Sequence, residues 1–260
     1  MRRRFLLAAG ALAFCALAQR PFRTYEPMEG AASEAELPAD FNNKTEFVLG
    51  RLMYPASGWR GASWTVDYPR GDRTFAAAIR RLTLVDVRSV EQPVDPDDGN
   101  DIYYWPYLHV GLPASWYFSP AQAAKIRDYL QRGGFLMVDS FFGTEEWRGF
   151  ERGMHQILPG RVIEELPDDD PIFHGVFNME KRSQVGNWYA RRNGRWYRAD
   201  GDTPYWRGIR DDHGRVVVMI NFNNDLGDSW QLADNPEYPE RFSSMGIRLG
   251  VNYVVYSLTH

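Results

Sequence analysis

The stretch from Ser119 to Asp139 spells out one complete helix-to-strand unit, and it restricts the fold more than any other part of the chain. Ser119 stands where a helix N-cap belongs, Pro120 occupies the first turn, and Gln122 closes a capping box. Ala123, Ile126 and Leu130 recur on one helical face until Gly133-Gly134 stops the helix. FLMVD (135–139) follows at once. A short run with four apolar residues, set between a glycine pair and a polar turn, suits a central strand covered on both faces.

The same alternation runs through most of the chain. Phe47 to Tyr54 reads as a buried strand, Phe75, Ile79 and Leu82 keep helical phase, Leu84 to Val90 reads as a second strand, and Tyr107 to Leu112 as a third. Thr144 is expected to cap a helix carrying Trp147, Phe150, Met154 and Ile157, which ends at Pro159-Gly160. Arg207 to Asn221 has the form of a hairpin about Asp211-Asp212-His213-Gly214, and a final helix bears Phe242, Met245, Leu249, Tyr253 and Tyr256 on one stripe. The pattern predicts an α/β fold, a mainly parallel sheet with helices on both faces, closed by a C-terminal hairpin and helix. No internal repeat interrupts it, so residues 46–260 are expected to form a single α/β domain.

The first residues carry Arg2, Arg3 and Arg4, and the run from Phe5 to Ala18 is free of charge. It is shorter than the roughly 20 residues that span a bilayer and closes on Ala16-Leu17-Ala18, so residues 1–18 read as a signal peptide cleaved before Gln19. That implies an exported, periplasmic protein with no transmembrane anchor after cleavage. Arg2-Arg3-Arg4-Phe5-Leu6 also fits the twin-arginine pattern, which leaves the general secretory and folded-export routes both open. Residues 19–45, mixed in Pro, Gly, Glu and Ala, read as a tether or an arm lying on the domain.

Cleavage leaves 27 basic against 34 acidic residues, a net −7, because residues 1–18 hold three arginines and no acids. Nucleic acid is excluded as a partner, since polyanion binding relies on a basic stripe. The one cysteine, Cys15, lies inside the signal, so the mature chain has no disulfide and no thiol nucleophile.

FVLGRLMYPASG, WTVDYPRGDRTFAAAIRRLT, GGFLMVDSFFGTEEW, ELPDDDPIFHGVF and EYPERFSSMGIRLGVNYVVYSLTH, in that order, resemble the bacterial family called domain of unknown function 4159, over about Phe47 to His260. That family looks like a distant branch of the class I glutamine amidotransferase-like superfamily, whose flavodoxin-like sheet also carries the trehalose-utilisation-like proteins. The resemblance implies the fold, not an activity. Where the amidotransferases end a strand in a nucleophilic cysteine, this chain has Asp139 followed by Ser140. Asp170-Pro171-Ile172 replaces the His-Pro-Ile segment typical of the trehalose-utilisation-like proteins, with His174 nearby but out of register. Relatives joined to membrane-anchored proteins of the aerotolerance-regulator type imply envelope proteins as partners.

In open parallel sheets, ligands bind beyond the carboxyl ends of the strands. That rule collects Tyr54 and Ser57, Asp139 and Ser140, and Asn221, Asn223, Asn224 and Asp225; Trp64 to Asp72 adds Asp67, Tyr68, Arg70 and Asp72. Asp139 and Ser140 are the catalytic candidates, with Asp139 as a general base or, with Asp225, a ligand for a hard cation. The others are ligand-binding candidates, for a small polar ligand. The competing reading has Asp72 capping a helix, Asp67 holding a turn and Asp139 binding backbone donors. No cofactor motif and no metal-ligand spacing is present; the acidic loop Asp95 to Asp101 fails the EF-hand order. Trp59, Trp64, Trp105, Trp188, Trp196 and Trp206 fall in irregular segments, as stacking surfaces or as satellite clusters. Two functions follow: a noncatalytic binding or interaction module lacking the superfamily's cysteine, and a hydrolase acting on a small envelope metabolite or sugar through Asp139 and neighbouring carboxylates.

Overall fold

The computed structural model describes residues 22–55 and 63–260; the expected signal peptide, Ser57 and Trp59 lie outside them. Seven strands form one mixed sheet: β1 (Gly50–Leu52), β2 (Gln92–Val94), β3 (Tyr107–Gly111), β4 (Phe135–Asp139), β5 (Glu164–Glu165), β6 (Tyr205–Arg210) and β7 (Val216–Phe222). Their order is β2-β1-β3-β4-β7-β6-β5. β2, β1, β3, β4 and β7 run parallel; β6 and β5 complete the sheet antiparallel. The sheet is therefore not purely parallel, because the hairpin anticipated around Asp211 adds its first strand, β6, outside β7.

Side chains alternate across the strands and build two cores. Leu108, Val110, Leu136, Val138 and Ile220 pack on the face covered by α2 (Pro120–Gln131) and α3 (Gly143–Ile157). Tyr107, Phe135, Met137 and Met219 pack on the other, under α1 (Arg70–Leu82), α4 (Leu226–Gln231) and α5 (Glu240–Thr259). The period of two that divides β3 and β4 this way also decides where their polar residues point.

Local chemistry sets the helix ends. Ser119 and Gln122 form the anticipated capping box. α3 differs: Thr144 is not its cap. The helix begins at Gly143, and its first donors are met from elsewhere, Phe142 N–H by Glu146 and Thr144 N–H by Asp200 at 2.9 Å.

The second strand also falls later than Leu84–Val90. In that run only Val87 bridges to Phe47, and Leu84 is fully exposed. Arg88 turns inward instead, donating to the carbonyls of Val90 and Glu91 and to Gln92 Oε1. Those carbonyls are thus capped by a side chain, and regular pairing resumes at Gln92.

Residues 22–45 run over the domain. Met28 N–H donates to Thr65, Arg73 to the carbonyls of Ala35 and Glu36, and Arg80 to Asp40. No helix among the described residues is long and apolar enough to cross a membrane.

Candidate functional site

Strand order reverses between β1 and β3, and that crevice holds a buried guanidinium beside a buried imidazole. The parallel register pairs Arg51 of β1 with His109 of β3, and Gly111 with Asp139 at the end of β4. Arg51 is fully enclosed and fully used. Its Nε and Nη2 clamp Asp72 at 2.9 and 2.8 Å, and Nη1 donates to the carbonyls of Trp64 and Val66. A bidentate pair with every guanidinium edge satisfied is how a charge survives burial. Burial pulls the Arg51 guanidinium down and the Asp72 carboxyl up, but their mutual attraction prevails, leaving Arg51 raised and Asp72 lowered.

His109 extends this pair toward β4. Its Nε2 lies 2.7 Å from Asp139 Oδ1, and its ring meets Trp230 edge-on. Burial and the nearby Arg51 lower its proton affinity; Asp139 and Asp72 more than restore it, and the net shift is upward. Asp139 Oδ2 accepts the Gly227 N–H at 2.8 Å.

Ser140 follows in a left-handed conformation (φ 60°) and its Oγ donates to Asp225 Oδ1 at 2.5 Å. Asp225 caps α4 through the Asp228 N–H. Asn187 Nδ2 joins the two carboxylates, 2.7 Å from Asp225 Oδ2 and 3.1 Å from Asp228 Oδ2, and the Trp188 N–H also reaches Asp228. Opposite them sits Asp67, again left-handed (φ 59°). Its neighbour Gly227 leaves room for it: a Cβ there would fall 2.1 Å from Asp67 Oδ2, so a larger residue would have to push the carboxylate aside. Glu29 closes the group from the amino-terminal segment, accepting from Asp67 N–H and Ser33 Oγ. Burial first, and then their mutual repulsion, push the Asp67 and Asp228 carboxyls well above the ordinary range; Asp225 rises through burial and Asp139.

Of the residues singled out in the sequence, Asp67, Asp72, Asp139, Ser140 and Asp225 meet here. The others do not. Tyr54 donates to the carbonyls of Gly111 and Leu112 and packs in the α2–α3 core. Tyr68 receives the Tyr25 N–H, and Arg70 pairs with Asp234 at the surface. Asn223, with φ 60°, ties Gly143 N–H to the Thr203 carbonyl. Asn221 receives Tyr253 and Asn224 receives the Val185 N–H. His174 is engaged with Asn178 and the Asp168 carbonyl, so it orients no nucleophile. Asp72 clamps Arg51 rather than capping α1, and Asp139 pairs with His109 and, as the competing reading expects, takes a backbone donor, the Gly227 N–H. Arg51, His109, Asp228, Asn187 and Glu29 escaped the sequence reading. For the first two the signal was present: an ionisable residue inside an apolar strand, GRL and YLHVG.

The arrangement can hold protons and orient carboxylates, but it is closed. Asp67, Asp139, Ser140 and Asp225 are each at most 2 % exposed. Among the described residues open space lies elsewhere, one example being a groove of about 710 Å³ lined by Trp147, Glu151, Arg161, Glu165, Tyr205 and Arg207. There the Arg207 guanidinium sits over Tyr205 and Trp147, 4.2 and 4.5 Å from the ring centroids. Trp64, Trp105 and Trp206 are buried rather than offered as stacking surfaces.

A family model described as Domain of unknown function (DUF4159) matches residues 48–258. No curated protein matches the chain significantly.

Proposed function

The chain belongs to the DUF4159 family, and we propose that it is an exported, noncatalytic binding module of the cell envelope, built on a class I glutamine amidotransferase-like scaffold without the nucleophilic cysteine. Burial of the carboxyl edge carries this reading. A hydrolase needs its base and nucleophile within reach of substrate, whereas the oxygens of Asp139, Ser140 and Asp225 are engaged with His109, Gly227 and Asn187. The strand order supports the flavodoxin-like scaffold: it begins 2-1-3-4, with β7 in the fifth place. Recognition of a small polar ligand or an envelope protein then falls to the open groove around Trp147, Tyr205 and Arg207.

One observation favours the second reading, a hydrolase of a small envelope metabolite or sugar. Ser140 adopts φ 60° immediately after a parallel strand, with a carboxylate on its hydroxyl, a strained setting in which nucleophiles are found. Chromogenic esters, phosphates and glycosides incubated with the chain, with Ser140→Ala and with Asp139→Asn distinguish the two. The binding module gives one background rate for all three, together with a glycan-array signal that Arg207→Ala weakens. A turnover that falls about a hundredfold in Ser140→Ala would establish the hydrolase.

A further inference from the structure

We propose that Asp67, Asp225 and Asp228, with Glu29 bonded beside them to the Asp67 N–H, form a binding site for a hard divalent cation, calcium before magnesium. One oxygen from each aspartate lies within 4.8 Å of the others. Oxygens around a single ion can be no farther apart than twice the metal–oxygen distance, about 4.6–5.2 Å for calcium and about 4.0–4.2 Å for magnesium. Separations bounded at 4.8 Å fall inside the range open to calcium, the more tolerant of the two ions in geometry and ligand number. An all-carboxylate donor set without His or Cys also suits a hard cation rather than zinc.

A second observation, independent of the clustering, points to a missing ligand. Asp67 Oδ2 is buried in a side chain only 1 % exposed and has no hydrogen-bond partner. Glu29 Oε1 is buried and without a partner as well, although the other oxygen of the same carboxylate is held by Asp67 N–H and Ser33. A buried carboxylate oxygen left without a donor is costly. The neighbouring charges do not relieve it. Arg51 is matched by Asp72 and His109 by Asp139. Among the described residues, no guanidinium or ammonium bonds to Glu29, Asp67, Asp225 or Asp228.

Ser140 and Asn187 hold Asp225, and Asn187 and the Trp188 N–H hold Asp228, and hydrogen bonds of this kind orient the carboxylates that ligate metals. The ion would clasp two segments distant in sequence, the turn before α1 at Asp67 and the start of α4, with the amino-terminal segment tied to the first through Glu29 and the Asp67 N–H.

The test uses the full chain stripped with EDTA. Calcium titrated by calorimetry is expected to bind once per chain, to raise the melting temperature by about 5–10 °C at a hundredfold excess over Kd, and to be displaced by terbium with tryptophan-sensitised emission. Asp67→Asn keeps a residue type that tolerates the left-handed backbone and removes one charge. It is expected to abolish the calcium-induced shift and, in EDTA, to melt above the unmodified chain. This reversal of sign separates loss of a ligand from simple misfolding. The proposal is overturned if calcium, magnesium and manganese give neither heat nor a melting shift, which leaves the carboxylates sharing protons. It is equally overturned if calcium binds Asp67→Asn as it binds the unmodified chain.

Discussion

His109 Nε2 lies 2.7 Å from Asp139 Oδ1, while the other ring nitrogen, Nδ1, stops 3.7 Å from Asp72 Oδ1, beyond hydrogen-bond reach. The imidazole is therefore anchored at one end and held only by charge at the other, between two carboxylates with quite different company: Asp72 has Arg51, and Asp139 has the Gly227 N–H.

Replacing His109 with Leu strands Asp139 on a single backbone donor. Removing one partner of a buried ionic pair costs about 3–5 kcal/mol, so the denaturant midpoint falls sharply. A loss of under about 1 kcal/mol in urea unfolding would mean that Asp139 does not depend on the imidazole.

Arg51→Met leaves Asp72 buried without its clamp and opens the carbonyls of Trp64 and Val66. It is expected to destabilise by a similar amount, about 3–5 kcal/mol. Arg51→Met with Asp72→Leu recovers most of this loss, since both charges leave together. Chemical unfolding of the two single variants and the double closes the cycle, and additive losses would refute the pairing.

In EDTA, stability is expected to rise as the pH falls from about 8 to about 5. Burial, followed by Asp228, Asp225, Glu29 and Asp139, raises the Asp67 carboxyl; burial and Asp225 raise Asp228; burial and Asp139 raise Asp225. The folded chain thus holds protons that the unfolded chain has released. Stability grows through the raised values and levels off in the ordinary carboxylate range. His109, also raised, adds stability that is complete below the unfolded histidine value and fades as the pH climbs through the folded one. Asp72, with Arg51 beside it, is lowered, so its contribution is lost only in stronger acid. Melting curves in EDTA that stay flat or climb from about pH 5 to about pH 8 would contradict this assignment.

Export is expected to remove residues 1–18. Mass spectrometry of the protein recovered from a periplasmic fraction should place the first residue at Gln19. Changing Arg2-Arg3 to Lys-Lys should stop export through a twin-arginine route and spare the general secretory one. Recovery of the unprocessed chain in membranes would show an uncleaved anchor instead.

The parts of this fold written in local chemistry were legible. The Ser119–Gln122 box, the Gly133 stop and the apolar FLMVD strand need only neighbours to act. The second strand was displaced because Arg88 folds back on its own segment, a choice that hydrophobic pattern does not encode. At the buried cluster, the carboxyl-end rule supplied Asp139, Ser140 and Asp225, and the segment from Trp64 to Asp72 supplied Asp67 and Asp72. The rule also brought in Tyr54, which sits past a strand end but on the wrong face, and it passed over Arg51 and His109, which lie within strands rather than beyond them. Asp228 and Glu29 carry no local sign at all. They join Asp67 and Asp225 only through tertiary approach.

Ser33 is held by Gln231, 198 positions further along the chain. That bond forms only when α4 is in place, so the amino-terminal segment and α4 seat against each other across nearly the whole domain. A boundary drawn at residue 48, where family similarity begins, would cut away Glu29 and Ser33 and leave a truncated product whose acid-rich centre lacks one wall.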